Sequence, residues 1–378
     1  MRIGILTLPL HANYGGILQA YALQTVLERM GHKVVVIDRK KTIKTTWKRD
    51  MVSYPYRFFQ KYIRGKRQQK IRWEVAYRKK QAIETSLINR FINRNINVYH
   101  IEDLQDIHNG DFDAIVVGSD QIWRKPYYCT TISQNIATAY LNFTKGWNLI
   151  RIAFSASFGV DNWEYSEEET KACAEAIKNF DAVSVREKSG VILCKEYLHR
   201  DAIWTLDPTL LLSAQDYISL IHNKNGIDGS DKKELFVYIL DKNDEKQNLV
   251  NRIAKRKGLE ISDFQIKSDE ENEIKPCKLV EDWLDCIRRA NFVVTDSFHA
   301  CVFSIIMHKP FIAVVNRERG ASRFETLSSI LGVSENFIAA TNQYDDNKSY
   351  EIGDVVYEKL EKLRKESIQY LEDNLNKQ

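Results

Sequence analysis

Short apolar runs that read as buried strands recur along this chain, with helical stretches between them. Ile3–Leu8 is the first such run. Ile17–Met30 follows as a helix, with Ile17, Ala20, Tyr21, Gln24 and Leu27 at helical spacing and Gly31 as its stop. Val34–Ile37, Phe112–Val117, Arg151–Ser155 and Ala182–Val185 read as further strands. A strand–helix–strand rhythm puts the strands parallel in one sheet with both faces covered. Across the polar stretch His222–Lys233 the rhythm pauses, then restarts. Glu234–Leu240 is a strand, Gln247–Lys257 a helix stopped by Gly258, and Leu259–Phe264 a strand. Phe292–Thr295 is a short buried strand, Ala300–Met307 a buried helix and Phe311–Val315 another strand, and a charged amphipathic helix over Asp354–Leu375 comes last. No fixed-period repeat competes with this pattern. With 378 residues the chain is too long for one ordinary core. The expectation is an α/β protein of two Rossmann-like, doubly wound domains facing one another, residues 1–221 and 222–378.

Hydrophobic residues make up 44% and charged residues 28%, the balance of a folded chain and not a disordered one. The most apolar stretch, Ala300–Met307, is far shorter than the roughly 20 residues a spanning helix needs. The first residues lack a small-residue cleavage site and read as a strand, so a cytoplasmic location is expected. The cysteines, at positions 129, 173, 194, 277, 286 and 301, form no C-x-x-C pair, which fits a reducing compartment and argues against a zinc ribbon or redox motif. No metal-ligand cluster stands out.

Charge is unevenly placed. Residues 39–94 hold 18 Lys and Arg against three acids, a net +15, while the rest of the chain carries −11. Trp47, Tyr54, Tyr56, Phe58, Phe59, Tyr62, Trp73 and Tyr77 are interleaved with the basic residues. One reading is a solvated helical insertion in the first domain. Another is peripheral contact with an anionic membrane or a lipid diphosphate, where each basic residue contributes about 1 kcal/mol. Nucleic acid is not expected, since no binding motif accompanies the charge.

Sheets of this kind bind ligands at the carboxyl ends of their strands. After the first strand, Asn13-Tyr14-Gly15-Gly16-Ile17-Leu18-Gln19 is either a plain turn with Asn13 as cap or a backbone cradle for an anion or sugar hydroxyl. It is not a dinucleotide fingerprint. After the strand ending at Val117, Gly118-Ser119-Asp120-Gln121-Ile122-Trp123 offers Asp120 as a base for a hydroxyl and Trp123 as a stacking surface; the bland reading is an N-cap beside a core Trp. Val294-Thr295-Asp296-Ser297-Phe298-His299-Ala300-Cys301 runs from a strand straight into a helix, placing Asp296, Ser297 and His299 at a helix start that favours anions. His299 there is a candidate acid or base. Arg317, Arg319 and Arg323 follow the next strand and suit a phosphate or carboxylate, or else form a basic surface loop.

Together these segments resemble the polysaccharide pyruvyl transferase family. The resemblance also takes in Ser155-Ala156-Ser157-Phe158-Gly159, Ser184-Val185-Arg186-Glu187, Leu206-Asp207-Pro208-Thr209 and Ser322-Arg323-Phe324. It spans most of the chain, and only the basic 39–94 stretch has no motif support. It implies a GT-B-like fold with the active site in the cleft between the domains. It implies transfer of a pyruvyl group from phosphoenolpyruvate to a sugar of a polysaccharide, or of its lipid-linked precursor, as a ketal. His299 is then the general acid and Asp120 a base. The donor is held by Asp296, Ser297, His299, Arg317, Arg319 and Arg323, and the acceptor by Asn13, Tyr14, Gly15, Gly16, Gln19, Ser119, Gln121 and Trp123. Phosphoenolpyruvate is a substrate; no cofactor or metal is called for.

One position departs from the family pattern. Several family members carry an Arg two positions before the His, where this chain has Ser297; Arg323, with Arg317 or Arg319, is expected to supply the charge. The rival readings are a nucleotide-sugar glycosyltransferase of the same fold, with Glu325 gripping a ribose, and a non-catalytic glycan-binding protein.

Overall fold

The computed structural model describes residues 1–11, 13–39, 80, 82–132, 135–221, 233–264, 277–315 and 320–376. Among these the strands form two sheets in which every pairing is parallel. The first sheet holds β1 (Arg2–Leu6), β2 (Lys33–Arg39), β3 (Val98–Ile101), β4 (Ala114–Val117), β5 (Ile150–Ala156), β6 (Ala182–Val185) and β7 (Ile203–Trp204), in the order β3-β2-β1-β4-β5-β6-β7. The second holds β8 (Glu234–Tyr238), β9 (Glu260–Asp263), β10 (Phe292–Thr295), β11 (Phe311–Val314) and β12 (Phe337–Ile338), in the order β12-β11-β10-β8-β9. Each order reverses once, between β1 and β4 and between β8 and β10. A crevice opens at such a reversal, outside the carboxyl ends of the strands. This is the two-domain, doubly wound, GT-B-like α/β architecture expected.

The inner strands read clearly in the sequence because they are covered on both faces. β4, β6, β10 and β11 are buried at every residue, so they are continuous apolar runs without alternation. The edge strands β3 and β7 are short and half-exposed, carry no such run and are passed over by the apolar pattern. The first helix, Tyr14–Arg29, starts earlier than its apolar spacing indicates, because Gly15 and Gly16 belong to its first turn. Asn13 stands at the N-cap position, but its side chain makes no capping bond.

An apolar cluster joins the two halves. Tyr14 stacks on Trp283 with centroids 5.8 Å apart and rings 9° from parallel. Its hydroxyl donates to the Lys278 carbonyl at 2.9 Å. Tyr217 meets Phe303 edge to face at 4.7 Å. Burying one such large apolar side chain is worth about 1.5–3 kcal/mol, so this seam alone gives the halves a preferred orientation. The last helix, Asp354–Leu375, follows the second sheet in sequence yet lies on the first half. Ser367 Oγ accepts from Leu206 N at 3.1 Å, Arg364 Nε donates to Leu210 O at 2.8 Å, and the Tyr370 hydroxyl donates to Ala153 O at 3.3 Å.

Of the basic 39–94 stretch, residues 40–79 and 81 lie outside the described residues. Arg39 itself ends β2, is buried, and donates to the Tyr128 hydroxyl at 3.2 Å. Ser86–Asn95 is a helix in the β2-to-β3 crossover that turns Ile88, Phe91 and Ile92 inward. Among the described residues no helix is long and apolar enough to cross a membrane.

Candidate active site

The carboxyl ends of both sheets meet at a seam, and buried charge collects there. β10 runs directly into the helix Phe298–Ile306, which has no acid in its first turn and whose N-cap residue, Ser297, makes no side-chain cap. His299 sits in that first turn, buried, with its ring lodged against the first domain. A methyl group at Gly15 would collide with the imidazole, so only glycine lets the two domains approach this closely here. His299 Nε2 lies 3.8 Å from Asp207 Oδ2 and makes no hydrogen bond.

Asp207, just past β7, is the hub. Its Oδ2 accepts from Arg186 Nη1 at 2.6 Å and Ser119 Oγ at 3.5 Å, and its Oδ1 from Thr209 N at 3.0 Å and Thr209 Oγ1 at 2.6 Å. Arg186, just past β6, is equally buried. Its Nη2 lies 3.8 Å from Asp120 Oδ1, and its Nε and Nη2 make no hydrogen bond. Asp120, at the end of β4, has a φ of 50°, in the left-handed region that costs a non-glycine residue about 1–3 kcal/mol. Its Oδ2 accepts from Asn13 Nδ2 at 3.4 Å. The chain reaches Asp120 through Gly118, whose φ of 139° suits glycine and whose hydrogen faces the Phe154 carbonyl. Gln19 braces the same corner: its Oε1 accepts from Ser119 N at 3.0 Å, and its Nε2 donates to Thr7 Oγ1 at 3.0 Å and Gly16 O at 2.9 Å.

Arg323, on the helix Ala321–Leu331, completes the cluster. Its guanidinium carbon is 5.2 Å from the Phe298 ring centroid, and that of Arg186 is 5.0 Å from the same ring. Ser322 Oγ donates across the seam to Gly159 O at 3.1 Å. Glu187 Oε1 accepts from Ser157 Oγ, Phe158 N and Gly159 N at 3.1, 2.6 and 2.8 Å, holding the facing loop.

The electrostatics follow from this packing. Burial pushes His299 down to about 4 against the opposing pull of Asp207 and Asp120, so the imidazole is neutral at neutral pH. Burial and the neighbouring Arg186 bring Arg323 down to about 10, where it remains charged. Burial disfavours charge on Arg186 too, but Asp207 and Asp120 more than offset it and hold the guanidinium above its ordinary value. Asp207 is held below the usual carboxylate range: burial opposes this, and Arg186 prevails.

Some expected residues sit elsewhere. Asp296 faces away from this cluster: its carboxylate takes Leu240 N, Asp241 N and Lys246 Nζ at 2.6, 3.0 and 2.7 Å. Trp123 is fully buried, stacked on Tyr140 at 4.7 Å, with its indole N–H on Ala139 O at 3.3 Å. The core reading of Trp123 is therefore the one realised, because Tyr140, Phe158 and Tyr165 close around it. Tyr14 likewise belongs to the domain seam. Gln121 is buried, and its Oε1 accepts from Arg124 Nη1 at 3.2 Å. Arg317 and Arg319 lie outside the described residues. Glu325 is exposed on its helix. The cleft thus brings together His299, Arg323, Asp120, Asn13, Gly15, Gly16 and Ser119, with Gln19 behind them. Arg186, Asp207 and Glu187 were not singled out as site residues. Arg186 and Asp207 nonetheless each follow a strand, which is where a ligand-binding residue of such a sheet belongs.

Fold and cleft define a two-domain α/β protein of GT-B-like architecture with its polar site between the domains. Within that class, a family model for polysaccharide pyruvyl transferase matches residues 13–318, and the chain belongs to that family. No curated protein matches it. Solved structures similar to it include MurG of Acinetobacter baumannii, with 9% identity, TM-score 0.45, and 100% of this chain and 99% of that one covered. UDP-GlcNAc 2-epimerase of Methanocaldococcus jannaschii has 14% identity, TM-score 0.46, and 100% and 94% covered. The spinosyn forosaminyltransferase SpnP has 10% identity, TM-score 0.43, and 100% of both chains covered.

Proposed function

We propose that this protein transfers a pyruvyl group from phosphoenolpyruvate to two hydroxyls of a sugar, forming a ketal and releasing phosphate. One observation carries the reading. Two buried guanidiniums, Arg186 and Arg323, lie over the ring of Phe298, next to His299, at a helix whose own first turn carries no acid. Phosphoenolpyruvate presents a phosphate and a carboxylate, and two cations beside a helix N-terminus suit such a pair of anions. The two arginines take over the charge that Ser297 does not supply.

The reaction begins with a proton placed on the methylene carbon of the donor, which leaves C2 cation-like. A sugar hydroxyl adds to C2 and gives its proton to a base. The C2–O bond to phosphate then breaks, and the second hydroxyl adds to C2 and loses its proton as the ring closes. His299 is the proton donor in this scheme. It is neutral among these side chains, and the negative charge of a bound donor raises its pKa, so it becomes charged only beside its substrate. Asp120, with Asn13 on its other oxygen, receives the proton of the attacking hydroxyl. Glu325, exposed, offers little grip on a nucleotide ribose.

We further propose a lipid-linked oligosaccharide as acceptor, met at the cytoplasmic face of the membrane with the basic 39–94 stretch against anionic lipid. Charge placement supports this, and vesicle sedimentation tests it: neutralising several of those Lys and Arg residues should weaken binding to phosphatidylserine vesicles.

The donor test is the melting temperature with and without millimolar phosphoenolpyruvate, on the wild type and on His299→Ala. A ligand that binds only the folded state raises stability according to its concentration over its dissociation constant. A rise in the wild type that is lost in the variant is expected. A rise with a UDP-sugar and none with phosphoenolpyruvate would replace this reading with the glycosyltransferase one.

A further inference from the structure

The second sheet has its own crevice, at the reversal between β8 and β10. In doubly wound sheets that point is where nucleotide phosphates sit, on the N–H groups of the loop after a strand and the start of the helix behind it. Here the position is already filled. Asp296, the residue after β10, reaches across to the loop after β8. One carboxylate oxygen accepts from Leu240 N at 2.6 Å, and the other from Asp241 N at 3.0 Å and Lys246 Nζ at 2.7 Å. Lys246 Nζ also donates to Asp241 O at 2.9 Å. The Asp296 side chain is fully buried and the Lys246 side chain nearly so. The helix behind, Asp244–Lys257, is capped by Asn243, whose Oδ1 accepts from Lys246 N at 2.9 Å. Its first turn carries Asp244 and Glu245, which repel a further anion. The loop Leu240-Asp241-Lys242-Asn243 has no glycine to let a phosphate approach the backbone.

We propose that Asp296 is a specificity-determining residue. Its carboxylate is a built-in anion that stands where a nucleotide phosphate would lie and closes the second domain to nucleoside diphosphates. Two backbone N–H groups and one ammonium are the donor set a phosphate oxygen requires, and a carboxylate from the chain itself satisfies them permanently. The contrast with the neighbouring helix start makes the assignment sharper. At Phe298 the first turn carries no acid, Ser297 makes no cap, and the nearby guanidinium of Arg186 keeps two nitrogens without hydrogen bonds. One helix start in this sheet is plugged, and the other faces the cleft. The inference rests on the donor reading above only for where the donor anion then goes.

The test uses the full chain as wild type, Asp296→Gly and Asp296→Asn, each melted against increasing UDP, inorganic phosphate and phosphoenolpyruvate. The wild type should show no saturable response to UDP; a saturable rise overturns the proposal. Asp296→Gly vacates the position and should melt lower than the wild type, then recover as phosphate is added. Asp296→Asn keeps the shape but leaves neither a vacancy nor a full anion, and should melt lower without recovering. A folded Asp296→Gly that ignores phosphate, or an Asp296→Asn that recovers equally, overturns the proposal. If Asp296→Gly does not fold, the wild-type UDP titration and the Asn variant decide it. Failure of phosphoenolpyruvate to shift the wild type would remove the donor reading and leave this inference standing.

Discussion

Asp296 with Lys246, and Asp207 with Arg186, are both acid–cation pairs sealed from water, at 2.7 and 2.6 Å. They lie past the ends of strands in the two sheets and differ in how completely they are satisfied. Around Asp296 both oxygens and the ammonium are engaged. Around Asp207 the acid is saturated, but Arg186 keeps two nitrogens without hydrogen bonds and His299 keeps one. Leaving a buried polar group unpaired costs about 1–3 kcal/mol, and more for a charged one. Around Asp207 the unpaired atoms belong to charged and titratable groups that line the cleft, where a ligand can reach them. The complete pair reads as structure, and the incomplete one as a place that a ligand finishes.

The comparison is most directly broken by activity. His299→Ala should lose about 10²- to 10⁴-fold in phosphate release from phosphoenolpyruvate, the usual worth of a positioned acid. Asp296→Asn should retain turnover when assayed below its lowered melting temperature, and if both variants lose equally, the two sites do not differ in kind. Next in size is stability. Asp296→Ala strands Lys246 and two backbone N–H groups, and denaturant titration should show a loss of about 3–5 kcal/mol. Arg186→Met leaves the buried Asp207 without its counter-ion and should cost a similar amount, and it should also abolish the phosphoenolpyruvate-dependent rise in melting temperature.

A pH dependence sharpens the contrast further. His299 is held at about 4, below its ordinary 6.5, so the unfolded chain takes up this proton first as pH falls. Its contribution is fully present above about pH 6.5 and is lost on the way down to about 4, at a slope of up to about 1.4 kcal/mol per unit. His299→Gln should flatten the stability profile across that window. Phosphoenolpyruvate should raise the imidazole pKa, as an NMR titration would detect. The smallest effect is expected at Gly15→Ala, where the added methyl pushes on His299. A loss of about 1–3 kcal/mol is the usual cost of overpacking. It should come with a weaker phosphoenolpyruvate response, and an unchanged response would mean that the domain contact does not position the imidazole.

Much of this was legible in the residues because local rules produce it. Fully covered strands must be apolar throughout, so β4, β6, β10 and β11 stand out. Gly258 ends its helix in the left-handed conformation that glycine permits. The place of His299 at the cleft was legible because a strand runs into a helix there with no room for a loop. Trp123 was not, since a Trp beside a polar loop looks the same whether it faces a sugar or the core. Asp296 and His299 stand three positions apart across one strand-to-helix junction and point into different environments, which no one-dimensional pattern distinguishes.

What the sequence determined by itself is the periodic part: alternation of strand and helix, the restart that makes two domains, and the strand-end positions at which chemistry can sit. These depend on neighbours within a few residues, whose preferences add up locally. The tertiary structure alone decided which strand ends face each other. It set Gly15 against His299, gathered Arg186 and Asp207 from separate strand ends onto one imidazole, and turned Asp296 inward to Lys246. Those outcomes depend on contacts between segments roughly 20 to nearly 300 residues apart, and on burial, which changes the charge a group carries without changing its identity.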